Sequence, residues 1–229
     1  MVGDCCQGLL TREVHYCIAE DLSVHIVDGV LSYPVLLGGT ACAVAGIAKG
    51  LAVLDQDRMP TAGILSAAFF IASLIHVPLG PSSMHLVMNG LAGLLLGWAA
   101  FPVIFVGLLL QAVFFGYGGV TVLGINTLNM ALPAVLVYYL CRTAWQHNSG
   151  LAVSSAGLAG ALAIVFAALM VAGSLALSGD PLVPAAKLVI VTNLPVMVIE
   201  GLLCAATIML IRKVKPDMLS WPGRIAQHA

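Results

Sequence analysis

The sequence predicts an all-α membrane protein with about seven transmembrane helices, an outward-facing N-terminal segment and a cytoplasmic C-terminus. Of its 229 residues, 61% are hydrophobic and 8% are charged, whereas a soluble domain carries about 25% charged residues. Residues 59–141 contain no Asp, Glu, Lys or Arg, and one helical crossing takes only about 20 residues. A transmembrane β-barrel would alternate polar and apolar residues, and residues 91–96 and 103–110 show no such alternation.

Apolar runs between turn-forming residues predict the seven crossings. The runs are residues 30–54, 61–75, 86–100, 103–115, 126–141, 151–177 and 185–211. Several are shorter than the roughly 20 residues that span a bilayer, so we expect their ends to pack against protein. Three regions follow from this pattern: an N-terminal extension (1–23), a transmembrane domain (24–211) and a cytoplasmic tail (212–229).

Basic residues set the predicted orientation, because Lys and Arg accumulate in short cytoplasmic loops. With seven crossings, the loops after the first, third and fifth helices lie on the same side as the C-terminus. That side holds Lys49, Arg58, Arg142, Arg212, Lys213, Lys215 and Arg224, whereas the opposite side, apart from residues 1–23, holds Lys187 alone. Three polar, glycine-containing segments (25–29, 76–85 and 116–127) then face outward, and the function is expected there.

The composition disfavours a nucleic-acid partner and a cysteine-based site. Nine Lys and Arg against ten Asp and Glu leave no basic surface for nucleic acid. Six cysteines occur without any CxxC spacing, and Cys42, Cys141 and Cys204 lie in apolar runs, where cysteine behaves as a small hydrophobic residue. A thiolate metal site or a disulfide is therefore not expected.

Histidines are the candidate metal ligands. His25, His76 and His85 all fall in the outer segments. Neutral imidazole is the commonest protein metal ligand, and it suits Ni, Co, Zn and Cu alike. Each histidine could instead cap a helix or bond a loop carbonyl.

The position of His25 supports a sharper hypothesis. Residues 1–23 lack the apolar stretch of a signal peptide, and the Val24 codon can be a GTG start that initiates with Met. A chain starting at residue 24 offers a metal its terminal amine, the His25 amide nitrogen and the His25 imidazole. Tetragonal nitrogen sites are typical of Ni(II) or Cu(II), and His85 is the best candidate for a fourth ligand. Alternatively, residues 1–23 form a genuine tail and His25 caps a helix.

Other polar residues are candidates for supporting roles. The glycine-rich segment 116–129 lacks Lys, Arg and the order of a phosphate-binding loop. We expect Asn126 and Thr127 to orient a ligating histidine by hydrogen bonds. Glu200 lies midway along the seventh helix, where an ionisable group is costly and usually functional, but the sequence assigns it no partner.

Six motifs occur in a fixed order along residues 24–211. They are residues 25–29, 75–86 and 89–98, Gln111, residues 118–130, and Pro195 followed by Glu200-Gly201. In this order they resemble the CbiM/NikM family, the substrate-binding membrane subunits of cobalt/nickel energy-coupling-factor ABC transporters. In that family, a histidine in second place must stand beside a free amine, so the 23-residue extension departs from the pattern and favours a start at residue 24.

The resemblance implies a set of ligands and neighbours. Ni(II) or Co(II) would be held by Val24, as the initiating Met, by His25 and by His85. The residues expected around these ligands are His76, Asn126, Thr127 and Asp28. Both metals accept planar nitrogen ligands, so the sequence does not choose between them.

The resemblance also implies a role and partners. The chain would have no catalytic activity and no resident cofactor, with Ni(II) or Co(II) as its transported substrate in a bacterial or archaeal cytoplasmic membrane. A transmembrane coupling subunit and cytoplasmic ATPase subunits would drive transport, and a need for a small accessory membrane subunit is left open. The small-residue face of Ala41, Ala45 and Ala48 would meet the coupling subunit.

Three alternatives are weaker. An intramembrane metalloenzyme would need an HExxH pair or a carboxylate base beside the metal, and Asp28 is the one acid near His25 in the outward segment. A stand-alone nickel permease would carry an HxxxxDH pattern, which is absent. A structural subunit of a larger membrane complex, with incidental histidines, remains a rival that uptake experiments separate from a transporter.

Overall fold

In the computed structural model, the described residues are 26, 28–74, 76–79, 82–116, 118–141 and 149–214. The side chains of residues 76–79, 82–85 and 149 are not among them. The predicted ligands Val24 and His25 therefore lie outside the described residues, and His85 is described through its backbone.

Besides three 3₁₀ helices (Gln56–Arg58, Gly97–Ala99 and Asp180–Leu182), seven α-helices and one β-hairpin make up the regular structure of this described part. In chain order they are α1 (Tyr33–Ala52), α2 (Met59–Ala72), β1 (His76–Leu79), β2 (Ser82–His85), α3 (Asn89–Leu96), α4 (Ala100–Phe115), α5 (Leu123–Cys141), α6 (Ser149–Ser178) and α7 (Val183–Val214). Each predicted apolar run coincides with one of these helices. The antiparallel hairpin, which pairs His76 with His85, was not predicted.

Five helical stretches in the described residues are long and apolar enough to cross a membrane. They are Tyr33–Ala52, Asn89–Phe115, Leu123–Cys141, Gly150–Ser178 and Asp180–Val214. Helix α2 has 14 residues, or about 21 Å at 1.5 Å per residue, against a hydrocarbon core of about 30 Å. The predicted helical multi-pass class is confirmed, whereas the count of seven crossings and the orientation of the termini are not.

Local sequence explains where several helices begin and end. Pro34 and Pro60 lie in the first turns of α1 and α2, where proline has no lost hydrogen bond to replace. Helix α4 ends at Gly116, whose φ of 69° is left-handed and favours glycine. Helix α5 contains Pro133 and α7 contains Pro195, which membrane helices tolerate when neighbouring groups satisfy the freed carbonyls.

The chain changes direction between α3 and α4 at Gly97. This glycine has φ 58° and ψ −122°, a left-handed φ that a side chain disfavours. Gly93 lies against Ala134 and Gly97 against Tyr138, so α3 runs parallel to α5. The other end of α4 carries Phe115, which stacks on the Phe70 ring near the end of α2, with centroids 5.5 Å apart.

Contacts between the segments define two ends of the bundle. At the first, which we call the Ile26 end, Ser32 at the start of α1 donates its amide to Ser178 Oγ at 3.2 Å. At the second, the Trp98 end, Trp98 Nε1 donates to the Tyr139 hydroxyl at 3.0 Å, and Lys49 Nζ lies 3.7 Å above the Trp98 ring.

Small residues let the helices approach closely. A Cβ on Gly46 would overlap the Phe101 ring, and a Cβ on Gly50 would lie 2.6 Å from the Trp98 carbonyl oxygen. Between α6 and α7, a Cβ on Gly160 would lie 2.7 Å from Cys204 Sγ. The space beside these glycines is therefore occupied by other helices of the same chain.

Candidate metal site at the Ile26 end

The backbone of Ile26 is held by one side chain of α5. Its amide donates to Asn126 Oδ1 at 3.0 Å, and Asn126 Nδ2 donates to the Ile26 carbonyl oxygen at 2.9 Å. Ile26 is 1% exposed and Asn126 3%, so neither backbone group has water as a substitute. The amide side chain of Asn126 thus fixes the chain one residue after His25.

Asp28 binds the segment that leads into α5. Its Oδ1 accepts hydrogen bonds from Thr121 Oγ1 and from the Val122 amide, the latter at 3.2 Å. Gly119, with φ 104°, lies directly against this carboxylate, so a Cβ there would overlap it. A carboxylate beside the start of α5 is also favoured by the helix dipole. Asp28 therefore fixes the chain three residues after His25.

Thr127 has a different role in the described contacts. Its hydroxyl donates to the Leu123 carbonyl oxygen, one turn earlier in α5, at 2.7 Å, and the residue is fully buried. This bond stays within the helix. Of the two α5 residues that the sequence singled out, Asn126 is the one that contacts the segment after His25, and a role for Thr127 at a ligand stays a prediction.

The hairpin places the backbones of His76 and His85 side by side. The two residues are paired in the antiparallel register, at the end of the ribbon opposite its turn. In the sequence they are separate positions of one predicted outer segment. Their pairing means that a displacement of one strand carries both histidines.

The segment after His85 is held by Glu200 of α7. The amides of Val87 and Met88 both donate to Glu200 Oε1, with 2.8 Å between the Met88 nitrogen and that oxygen. Val87 and Glu200 have no exposed surface. Sequence reasoning noticed Glu200 as a buried ionisable residue but missed these partners, because backbone amides carry no sequence signal.

Other buried polar residues bond a neighbouring helix or their own helix. Ser174 Oγ donates to Asn129 Oδ1 at 3.4 Å, Asn89 Nδ2 donates to the Met130 carbonyl oxygen at 3.4 Å, and Asn193 Nδ2 donates to the Val189 carbonyl oxygen at 2.7 Å.

Within the described residues, no group of three or more His, Cys, Asp or Glu side chains is placed to hold a metal ion.

The long apolar helices define a multi-pass helical membrane protein. Buried side chains of two of these helices hold the segments that follow His25 and His85. Comparisons with known proteins identify its relatives. The model of the CbiM family, described as the cobalt uptake substrate-specific transmembrane region, matches residues 25–218. The chain belongs to this CbiM family, which confirms the resemblance seen in the motifs.

Individual relatives agree with this assignment. A Haemophilus influenzae protein named for metal transport is 40% identical over 86% of this chain and 97% of its own length. The cobalt transport protein CbiM of Sorangium cellulosum is 30% identical over 86% of this chain and 94% of its own. The fused nickel transport protein NikMN of Rhodobacter capsulatus is 38% identical over 65% of this chain and 46% of its own.

A solved structure has the same fold. The crystal structure of a transition metal transporter superposes with a TM-score of 0.71 at 25% identity, covering 88% of this chain and 99% of that one. The helical arrangement of this chain is therefore the arrangement of a transition metal transporter.

Proposed function

We propose that this chain is the substrate-capture subunit of an energy-coupling-factor transporter that imports Ni(II) or Co(II). The observation that carries the proposal is the pair of hydrogen bonds between Asn126 and the backbone of Ile26. A chelate made of backbone nitrogens needs a fixed backbone, and these bonds fix it one residue from His25. Membership of the CbiM family supports the choice of metal.

The proposed ligands are four nitrogens. They are the amine of residue 24, the amide nitrogen and imidazole of His25, and the imidazole of His85. Neutral nitrogen ligands fit a chain with no acidic residue in residues 59–141, and planar nitrogen sites favour Ni(II) over tetrahedral Zn(II). Because the amide must lose its proton, metal binding releases protons and is expected to strengthen as the pH rises.

This ligand set requires a free amine at residue 24. We therefore propose that the working chain starts there, with Met replacing Val24. Mass spectrometry of the natural protein checks this proposal. A first residue at position 24 supports the chelate, and a working protein that retains Met1 contradicts it.

Seven crossings are proposed, with the Ile26 end outside and the C-terminus in the cytoplasm. The reversal at Gly97 supports counting α3 and α4 as two crossings, of which α3, with 8 residues, is the shorter. The described basic residues support the orientation, because Lys49, Arg58, Arg212 and Lys213 belong to the Trp98 end and Lys187 alone to the Ile26 end.

Import is proposed to depend on a coupling subunit and on ATPase subunits. These partners would drive transport, because we propose no catalytic role for this chain. The relatives fused with a second transport component support the need for partners. Ala41, Ala45 and Ala48 are exposed on α1, and small exposed residues allow another helix to approach closely. This face is the proposed contact with the coupling subunit.

Calorimetric titration of the purified chain with Ni(II) and with Co(II) tests the proposed site. We expect His85→Ala to weaken binding at least about tenfold, since one of four ligands is lost. His228→Ala, in the tail, is the matched control and should leave the affinity unchanged. Unchanged affinity in His85→Ala would rule out the proposed ligand set.

Uptake of radioactive metal into vesicles tests the transport role. Vesicles that contain the chain with its coupling and ATPase subunits should accumulate metal in the presence of ATP, and vesicles with the partners alone should not. Equal uptake in the two preparations would favour a structural subunit.

A further inference from the structure

We propose that Glu200 is a positioning residue for the His85 ligand. Its carboxyl group fixes the backbone at Val87 and Met88 and thereby sets the position of the His85 backbone. This inference rests on the proposed function, because it concerns the same metal site.

The first support is the contact itself. One oxygen of Glu200 accepts hydrogen bonds from two consecutive amides that are 113 and 112 residues away in sequence. Val87 and Glu200 are fully buried, and a hydrogen bond in the protein interior is stronger than one exposed to water. The contact joins the middle of α7 to the segment between the hairpin and α3.

The second support is the conformation of Met88. Among the described residues it is the one non-glycine residue with a positive φ, at 52°. A side chain makes this left-handed conformation unfavourable, so it persists only where neighbouring contacts hold it. Glu200 supplies such a contact through the Met88 amide, immediately before α3 begins at Asn89.

The third support is the short connection between Val87 and His85. An extended chain advances about 3.3 Å per residue, so the two-residue step places the His85 backbone within about 7 Å of the fixed amide. Asn126 likewise fixes Ile26, which is one residue from His25 in sequence. Each ligand-bearing segment is thus held by one buried polar side chain, from α5 and from α7.

The second carboxylate oxygen provides a way to separate charge from geometry. Glu200 Oε2 is buried and has no hydrogen-bond partner among the described residues. Glutamine keeps the oxygen that accepts both amides and replaces only this second oxygen. Methionine has a similar length and removes both acceptors.

Calorimetric Ni(II) titration of the chain that starts at residue 24, with Met in place of Val24, in wild-type and His85→Ala backgrounds, tests the inference. We expect Glu200→Met to weaken binding about tenfold to a hundredfold, the range for residues that orient ligands, and Glu200→Gln to stay within about threefold of wild type. Asn193→Ala is the matched control, because this buried α7 residue bonds only its own helix in the described contacts. In the His85→Ala background, Glu200→Met should cause no further loss, since residues that act through one ligand are not additive.

Three results would overturn the inference. They are wild-type affinity in Glu200→Met, equal losses of affinity in Glu200→Gln and Glu200→Met, or a loss from Glu200→Met that is as large in the His85→Ala background as in the wild-type background. If Glu200→Met does not fold, Glu200→Asp replaces it, because the shorter carboxylate cannot hold both amides at the same distance. Wild-type affinity in Glu200→Asp would then overturn the inference. A wild-type chain that binds no metal would instead contradict the proposed function itself.

Discussion

At the scale of residues, single buried polar side chains hold backbone segments that are distant in sequence. Asn126 uses both polar atoms of its side chain on Ile26, and Glu200 uses one oxygen on Val87 and Met88. Sequence reasoning could single out Asn126 and Glu200, because polar residues are unusual in apolar helices. It could not supply their partners, which are backbone groups about 100 residues away.

Asn126→Ala should lower both metal affinity and stability. It leaves the amide and carbonyl of Ile26 buried without partners, and each such group costs about 1–3 kcal/mol. We expect an affinity loss of about tenfold to a hundredfold, measured by Ni(II) titration, with a lower melting temperature. Asn126→Asp keeps the acceptor and should lose less, and a wild-type affinity in Asn126→Ala would contradict the role assigned to this side chain.

The left-handed conformation of Met88 predicts a difference between two isomeric substitutions. Met88→Ile and Met88→Leu have equal volume, but a β-branched side chain at positive φ is a steric outlier. We expect Met88→Ile to be less stable than Met88→Leu by about 1–2 kcal/mol. Thermal unfolding of both variants in the same detergent measures the difference, and equal melting temperatures would show that residue 88 does not keep this conformation.

At the scale of elements, the apolar runs were sufficient to place every helix but not the hairpin. Hydropathy identifies the helices directly, because each apolar run is much longer than a turn. Residues 76–85 contain two prolines and several polar residues, which indicated a loop, and their pairing depends on a register that no period revealed. The same limit explains why α3 starts at Asn89 rather than at residue 86, since Val87 and Met88 bond Glu200 instead of continuing the helix.

Close packing of α6 on α7 predicts opposite effects for two glycines of α6. A Cβ on Gly160 would lie 2.7 Å from Cys204 Sγ and 2.8 Å from the Glu200 carbonyl oxygen, whereas a Cβ on Gly173 would meet nothing within 4 Å. Gly160→Ala should destabilise the protein by about 1–3 kcal/mol through overpacking. Gly173→Ala should stabilise it by about 0.5–1 kcal/mol through the lower entropy of the unfolded chain. Unfolding curves compare them, and a Gly160→Ala variant as stable as Gly173→Ala would contradict the packing.

At the scale of the whole molecule, the described basic residues favour the orientation that we propose, because four of the five belong to the Trp98 end. Composition alone predicted the membrane class, because a chain with 8% charged residues cannot cover a soluble core. It could not fix the number of crossings, because α2 is short and because the reversal at Gly97 lies inside a continuous apolar stretch.

Reporter fusions test this orientation. Alkaline phosphatase, which is active only outside the cytoplasm, should be active when fused after Gly179, between α6 and α7. It should be inactive when fused after Leu54, which follows α1, or after residue 229. The reverse pattern would invert the proposed orientation and would place the Ile26 end in the cytoplasm.

We propose that metal is captured by a chelate built on a free amine at residue 24. The most direct measurement is a Ni(II) titration of two purified chains, one starting with Met in place of Val24 and one retaining residues 1–23, with both termini verified by mass spectrometry. We predict one tightly bound Ni(II) per chain in the first and a loss of at least about tenfold in the second, because a peptide nitrogen replaces the amine ligand. Equal affinity of the two chains would contradict the claim.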